Sequence, residues 1–379
     1  MGGRGQKGPS AHPAAGNGED RAQGDAKGLG SLRLYGRRVI GVANKRENTM
    51  LGMAVLGAGR IGKIHAANIA LGGDAKLVAV ADPLDGAAIA LAGPFGATAF
   101  EDPVEAIDSD DVQAIVICTP TPTHVDLIVH AANRGKAVLC EKPVALDIAK
   151  ADFAVRETEA LGAQVMMGFN RRFDPTAQQL RKAIDAGEIG EVRQVIVTSR
   201  DPGLASREYL RSSGGIFRDM TIHDFDMARW LLGEEPVEVS ALASRLVDKT
   251  LDEFDDFDAV MVQMRTASGK QCHINCCREA VYGYDQRFEI FGSKGMLSNE
   301  NLRASTIRRW SSTQTEAREP LLHFFLERYQ EAYRIELAEF IAAVINKRAM
   351  PVTVHDGRQA LRLADCAAES VTTGCTVRV

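Results

Sequence analysis

The segment MAVLGAGRIGKIHAANIALG, residues 53–72, decides the fold. Its opening residues form an apolar run of strand length, and RIGKIHAANIALG reads as a helix. Between them stands GAGRIG, which puts Gly57, Gly59 and Gly62 in the spacing G-x-G-x-x-G. That pattern means little unless a strand enters it and a helix leaves it, and here both do. Gly57 permits the tight turn, Gly59 lets backbone approach a pyrophosphate, and Gly62 lets helix and strand pack closely. Arg60 and Ile61 open the helix, whose unpaired N–H groups and positive dipole end would face phosphate. The next apolar run, KLVAVAD, ends in Asp82, twenty residues past Gly62. A carboxylate there accepts from both ribose hydroxyls and repels a 2′-phosphate. Pro83 and Leu84 follow it, not arginine. The expected dinucleotide is NAD rather than NADP.

Outward from this unit, AIVICTP (114–120), AVLCEKP (137–143) and QVMMGFNRR (164–172) are further strand runs, with HVDLIVHAANRG and DIAKADFAVRETEALG helical between them. Short continuous apolar runs separated by helices predict a parallel sheet covered on both faces. Beyond about residue 190 the texture changes. EVRQVIVTSRD, VEVSALASRLV, the long stretch 258–292 and STIRRWSS are strand-like, with a hairpin turn at ASGK. Consecutive strands predict a mostly antiparallel sheet. Two helices near 322–347 and 357–372 close the chain, and the last could pack back on the first domain. The expected fold is α/β: a doubly wound Rossmann domain over 50–170 and a second α/β domain with a large open sheet over 171–379. Residues 1–49, rich in Gly, Ala and charge without periodicity, are expected to be disordered.

The 379 residues are 45% hydrophobic and 25% charged, with a net charge of −5. This balance gives no reason to expect nucleic acid or an anionic membrane as partner. No apolar run is long enough to span a bilayer, and no signal peptide is evident, so a cytoplasmic protein is expected. Seven cysteines without a leader read as reduced thiols. CHINCC (272–277) lies in a strand run and lacks a second ligand pair at zinc-like spacing, so no metal is expected. His65, one turn into the first helix, is given no role.

Three groups of residues carry chemistry. Glu141, Lys142 and Pro143 end a parallel strand, where open sheets bind ligands, so Lys142 can reach a substrate hydroxyl and the nicotinamide edge. Thr119 and Pro120 end the preceding strand and could lie against the nicotinamide ribose. The third group lies in GGIFRDMTIHDFDMARWLLG (214–233), which reads as one helix. At about 100° per residue, Asp219, His223 and Asp226 fall within roughly 60° of one another, with Trp230 on the same stripe. Ile222, Phe225 and Leu232 flank it on one side and Met220, Met227 and Leu231 on the other, interrupted by Asp224 and Arg229. A charged strip between apolar flanks is a poor candidate for a water-facing surface.

VLGAGRIGKIHAANI, VLCEKP, GFNRRFDP and GGIFRDMTIHDFDMARWL together resemble the Gfo/Idh/MocA oxidoreductases. GFNRRFDP and RDMTIHDFDM point to the branch acting on inositol. The resemblance runs from Met53 to the C-terminus. It implies a Rossmann domain, a C-terminal α/β domain, NAD(H), a cyclitol or sugar substrate and a homotetramer. It also implies that Lys142, Asp219 and His223 are the catalytic set. Chemistry supplies a separate reason for these three. Oxidising a secondary alcohol needs a base, and histidine titrates near working pH. An acid one turn away can hold its tautomer, and a lysine can stabilise the developing alkoxide. Asn170, Arg171, Asp226, Tyr282 and Tyr284 are the expected polyol contacts, the tyrosines sharing one strand face. Other readings at this point are a scyllo-inositol, glucose or other sugar dehydrogenase, a preference for NADP, and a dinucleotide-binding regulator without turnover.

Overall fold

The computed structural model describes residues 50–379. The expected disorder of residues 1–49 lies outside the described residues. The first half alternates β1 (Leu51–Leu56), α1 (Arg60–Leu71), β2 (Ala75–Ala81), α2 (Ala87–Ala92), β3 (Thr98–Phe100), α3 (Pro103–Asp108), β4 (Ala114–Ile117), α4 (His124–Asn133), β5 (Ala137–Glu141), α5 (Ile148–Ala160) and β6 (Val165–Gly168). All pairs in this sheet are parallel, in the order β3-β2-β1-β4-β5-β6. That is the doubly wound order, with the switch point between β1 and β4. Every residue of β1 is buried, as a strand covered by helices on both faces requires. The three-residue β3 and the short helices beside it leave no apolar periodicity long enough to read, and the sequence reading passed over them.

The second half holds α6 (Pro175–Asp185), β7 (Val192–Arg200), α7 (Arg207–Ser212), α8 (Gly215–Asp219), α9 (Ile222–Leu232), β8 (Pro236–Ser244), β9 (Ala259–Thr266), β10 (Gln271–Cys277), β11 (Asp285–Gly292) and β12 (Met296–Ser298). The two-residue strands β13 (Arg308–Arg309) and β14 (Ala317–Arg318) form a separate ribbon. Then come α10 (Phe325–Arg328), α11 (Gln330–Ile345), α12 (Val354–Thr373) and β15 (Val377–Arg378). Seven strands form one sheet, β12-β11-β7-β10-β9-β8-β15. Only β7 and β10 pair in parallel; the rest are antiparallel. One face, with Val195, Val197, Val262 and Ile274, is buried where α9 and α12 pack on the sheet. The opposite face carries Ile196, Leu242, Met261 and Phe291, all exposed.

Helix α12 lies between the sheets, touching α5 and β6 on one side and α9 and β8 on the other. Its first turn is secured by a capping box between Thr353 and Asp356. Helix α11 packs on α1. There Tyr284, Tyr329 and Tyr333 form a small aromatic cluster with Ile61 and Ile64.

Two expectations are corrected. Residues 214–233 are not one helix: α8 ends at Asp219 and α9 begins at Ile222. At the joint, Thr221 N bonds to Ile216 O and His223 N to Met220 O, so the regular i→i−4 ladder is interrupted. Tyr282 and Tyr284 precede β11 in a turn and do not share a strand face. Gly283 between them has φ 115°, a left-handed backbone that only glycine adopts without strain. Tyr282 is 48% exposed and Tyr284 only 5%.

Candidate active site

The glycine turn is built as its spacing requires. Gly57 has φ +97°, and a Cβ there would stand 2.6 Å from Cys118 O at the end of β4. A Cβ on Gly62 would meet Gly57 O at 1.9 Å, so only glycine lets α1 close onto the turn. A Cβ on Gly59 would meet nothing within 4 Å, and its open side faces away from protein. No side chain caps α1, whose first N–H groups remain available. Arg60 is exposed at this end, and Ile61 is half-buried against the aromatic cluster. Asp82 Oδ2 accepts from Ala58 N at 2.7 Å and Oδ1 from Leu84 N at 2.8 Å. The carboxylate thus stands beside the turn with lone pairs to spare. An open cradle, free helix amides and a loop-anchored acid without an arginine neighbour fit the pyrophosphate and diol of NAD.

Thr119 lies where Gly57 abuts the β4 end. His124 ties this loop to the next: its ring nitrogens lie 2.8 Å from Thr119 O and 2.8 Å from Pro143 O. Pro120 is exposed on the same loop. Glu141 Oε1 lies 3.0 Å from the Nε2 of buried His65. His65 had been given no role.

Lys142 spans the two halves of the molecule. Its Nζ donates to Asp219 O at 2.7 Å and stands 3.5 Å from Asp219 Oδ1. The Asp219 carboxylate also accepts from Tyr209 Oη at 2.6 Å and from Arg278 Nη1 at 3.2 Å. Burial opposes its charge, but the Lys142 ammonium and the Arg278 guanidinium hold its carboxyl below the usual range. It makes no hydrogen bond to His223 among the described residues, so holding the imidazole tautomer, the task foreseen for it, is not what the geometry shows. His223 is half-buried, edge-on to Phe169 at 6.0 Å, with Nδ1 buried and without a partner among the described residues. Burial, with the nearby Lys142 and Arg171 charges, drives its pKa well below the ordinary 6.5. The ring is therefore neutral at physiological pH.

Most of the other expected polyol contacts make bonds or ring contacts within the protein. Asp226 is buried and takes two bonds from Arg172, at 2.8 and 2.5 Å. Arg171 is buried against Asp224 at 2.5 Å, and Asn170 is buried in the 3-10 turn after β6. Tyr282 Oη accepts from Arg200 at 2.6 Å and donates to Asp285 at 2.7 Å. The buried Tyr284 ring packs edge-on against Phe324 and Tyr329. For Asp226, Arg171 and Tyr282 the engaging residue, Arg172, Asp224 or Arg200, is remote in sequence.

Three residues were not singled out from the sequence. Tyr209 on α7 and Arg278 after β10 hold Asp219, and Arg278 also bonds Asp256 at 3.1 Å. Asp201, just past β7, makes no side-chain hydrogen bond or ion pair among the described residues. Burial and the Asp219 charge outweigh the Arg171 charge and push its carboxyl up to about 7. The one signal in the sequence was position: Asp201 and Arg278 both follow strand ends.

Residues 51–169 match the family model for the oxidoreductase family with an NAD-binding Rossmann fold, and residues 177–298 match the GFO/IDH/MocA C-terminal domain. The chain is 50% identical over 318 residues to the inositol 2-dehydrogenase of Rhizobium meliloti, covering 84% of this chain and 96% of that one. It is similar to the crystal structure of a myo-inositol dehydrogenase from Corynebacterium glutamicum, with 44% identity, a TM-score of 0.84 and coverage of 87% and 99%. A scyllo-inositol dehydrogenase from Lactobacillus casei, solved with NAD(H) and scyllo-inositol, matches at 28% identity and a TM-score of 0.81, covering 87% and 99%. With the glycine cradle and the lysine-bridged cleft, these matches place the chain in the Gfo/Idh/MocA oxidoreductase family.

Proposed function

We propose that this protein is an NAD-dependent inositol 2-dehydrogenase, oxidising the C2 hydroxyl of myo-inositol to give 2-keto-myo-inositol (scyllo-inosose). The observation that carries the reading is the 2.7 Å bond from Lys142 Nζ to Asp219 O. It draws the lysine loop of the dinucleotide half onto the segment holding His223. Bound NAD supplies the hydride acceptor. Neutral His223 takes the hydroxyl proton, which a protonated ring could not do. The Lys142 ammonium steadies the alkoxide as the C–H bond breaks. Asp219, gripped by Tyr209 and Arg278, fixes that ammonium in place. Asp201, unpartnered beside them, is suited to accept hydrogen bonds from the ring hydroxyls.

The remaining assignments follow from the same frame. Gly57, Gly59, Arg60, Ile61, Gly62, Asp82, Thr119, Pro120, Glu141 and Lys142 hold the cofactor. Residues 50–170 serve as the cofactor half and 171–379 as the substrate and oligomerisation half. The chain works as a homotetramer in the cytoplasm, in catabolic oxidation. The exposed sheet face supports self-association: Leu242 is 75% and Met261 51% exposed on neighbouring strands. Seven free thiols accord with a reducing compartment. No helix of the described residues is long and apolar enough to cross a membrane.

A spectrophotometric screen of myo-inositol, scyllo-inositol and glucose, each with NAD and NADP, tests the activity. Reduction of NAD by myo-inositol above the other pairs is expected. No reduction with that pair defeats the reading. Sedimentation analysis tests the assembly: a tetramer is expected that Leu242→Glu with Met261→Lys breaks down, and a monomeric wild type refutes it.

A further inference from the structure

His65, Glu141 and Glu336 stand together outside the groups that touch substrate. One polar atom from each lies within 4.8 Å of the other two. They come from three elements: α1, which carries the glycine turn, the end of β5 beside Lys142, and α11 of the second half. His65 Nε2 and Glu141 Oε1 are 3.0 Å apart. Glu336 is 0% exposed, and neither of its carboxyl oxygens has a hydrogen-bond partner among the described residues.

An unpaired carboxylate in that position would lose its hydration with nothing in return, and such groups take up a proton instead. The groups facing it offer no fixed cation. They are His65 from α1, Glu141 from β5, Cys118 behind β4, and Tyr333 from its own helix. Burial, then the charge of Glu141, pushes the Glu336 carboxyl well above the usual range. The Cys118 thiol and the Tyr333 phenol are also pushed up, chiefly by burial, and stay neutral. A bound divalent cation is the other means of neutralising two carboxyls. It fits less well, because a His65 Nε2 that donates to Glu141 has no lone pair left for a metal. Two carboxyls alone fall short of a protein metal site.

We propose, resting on the role given to Lys142 above, that Glu336 is a positioning residue. It keeps its proton as a carboxylic acid and presents it to Glu141, a carboxylate oxygen of which lies within 4.8 Å. With His65 it clamps Glu141 and so holds the adjoining Lys142 against Asp219. When Glu336 ionises at high pH, a second negative charge faces Glu141 and the clamp opens.

Two variants of the full chain test this. E336Q keeps a neutral donor, and E336L keeps bulk without one. The infrared difference spectrum of wild type minus E336Q at neutral pH shows the carbonyl band of a protonated carboxylic acid. E336L exchanges a buried carboxyl for hydrocarbon of similar bulk while Glu141 keeps its 3.0 Å contact with His65, so it melts no lower than wild type. It nevertheless loses roughly ten- to a hundredfold in kcat through misplacement of the lysine. Its KM for myo-inositol moves less, and E336Q recovers most of the lost kcat. Wild-type turnover falls on the alkaline side as Glu336 ionises, and E336Q lacks that fall. Absence of the carboxylic band, full kcat in E336L, or one equivalent of divalent metal that E336Q loses would each overturn the proposal. The band and the melting curve need no turnover. A wild type inert toward inositol therefore defeats the functional reading and leaves them to judge Glu336.

Discussion

Replacing Arg172 with methionine tests where the charges of α9 are directed. Arg172 Nε and Nη2 donate to Asp226 at 2.8 and 2.5 Å, and Nη2 reaches Asp356 at 3.0 Å. Asp226 is fully buried. Methionine keeps most of the stem but leaves Asp226 facing only Arg229, at 3.7 Å. Removing one partner of a buried pair costs about 3–5 kcal/mol, because the other charge stays buried and uncompensated. The unfolding entropy of the roughly 330 described residues is about 0.7 kcal/mol per kelvin. The expected drop in Tm is therefore about 4–7 K by scanning calorimetry. KM for myo-inositol, measured well below the transition, should stay within about twofold of wild type, since the Asp226 carboxylate is buried and bonded to Arg172. Adding Asp226→Leu should restore much of the stability, because the orphaned charge is removed. The reasoning fails if Arg172→Met melts like wild type while KM rises tenfold or more. Asp226 would then be the polyol acceptor expected from the sequence.

The glycines of the turn separate by neighbour. Gly62→Ala forces a methyl to 1.9 Å from Gly57 O, so it should lower Tm as well as NAD affinity. Gly59→Ala meets no protein atom and should leave Tm unchanged while weakening NAD in a fluorescence titration. His223 gives a pH prediction with a definite sign. Its folded pKa lies well below 6.5, so the unfolded chain binds the proton more readily. The stability tied to the neutral ring is complete above about pH 6.5 and declines as pH falls below that value. Urea unfolding between about pH 7 and 5 should show this slope, and His223→Asn should flatten it.

What was legible in the sequence was local. The glycine turn, Asp82 and Lys142 could be placed because each is fixed by a strand end and a few neighbours. The charged stripe of 214–233 was rightly read as shielded from water, but the reason lay elsewhere in the chain. Arg171 and Arg172, about fifty residues upstream, neutralise Asp224 and Asp226, and no periodicity encodes that pairing. Asp219 stands out in the sequence, but its restraints, Tyr209 and Arg278, sit on a short helix and a loop that converge only in three dimensions. The tyrosines of YGYDQR obey strand alternation on paper. The left-handed Gly283 turns one of them inward. His65 and Glu336 are invisible for the same reason: their meeting at Glu141 depends on α11 docking against α1.

The central claim is that the lysine of one half and the histidine of the other act on one alcohol carbon. Initial rates of NADH formation from myo-inositol by wild type, Lys142→Met and His223→Asn, with NAD affinity of each measured separately, test it most directly. Both variants should lose roughly a hundred- to ten-thousandfold in kcat, as the removal of an acid–base or charge-stabilising group does. His223→Asn should bind NAD as wild type does. Turnover near the wild-type rate in either variant would contradict the account.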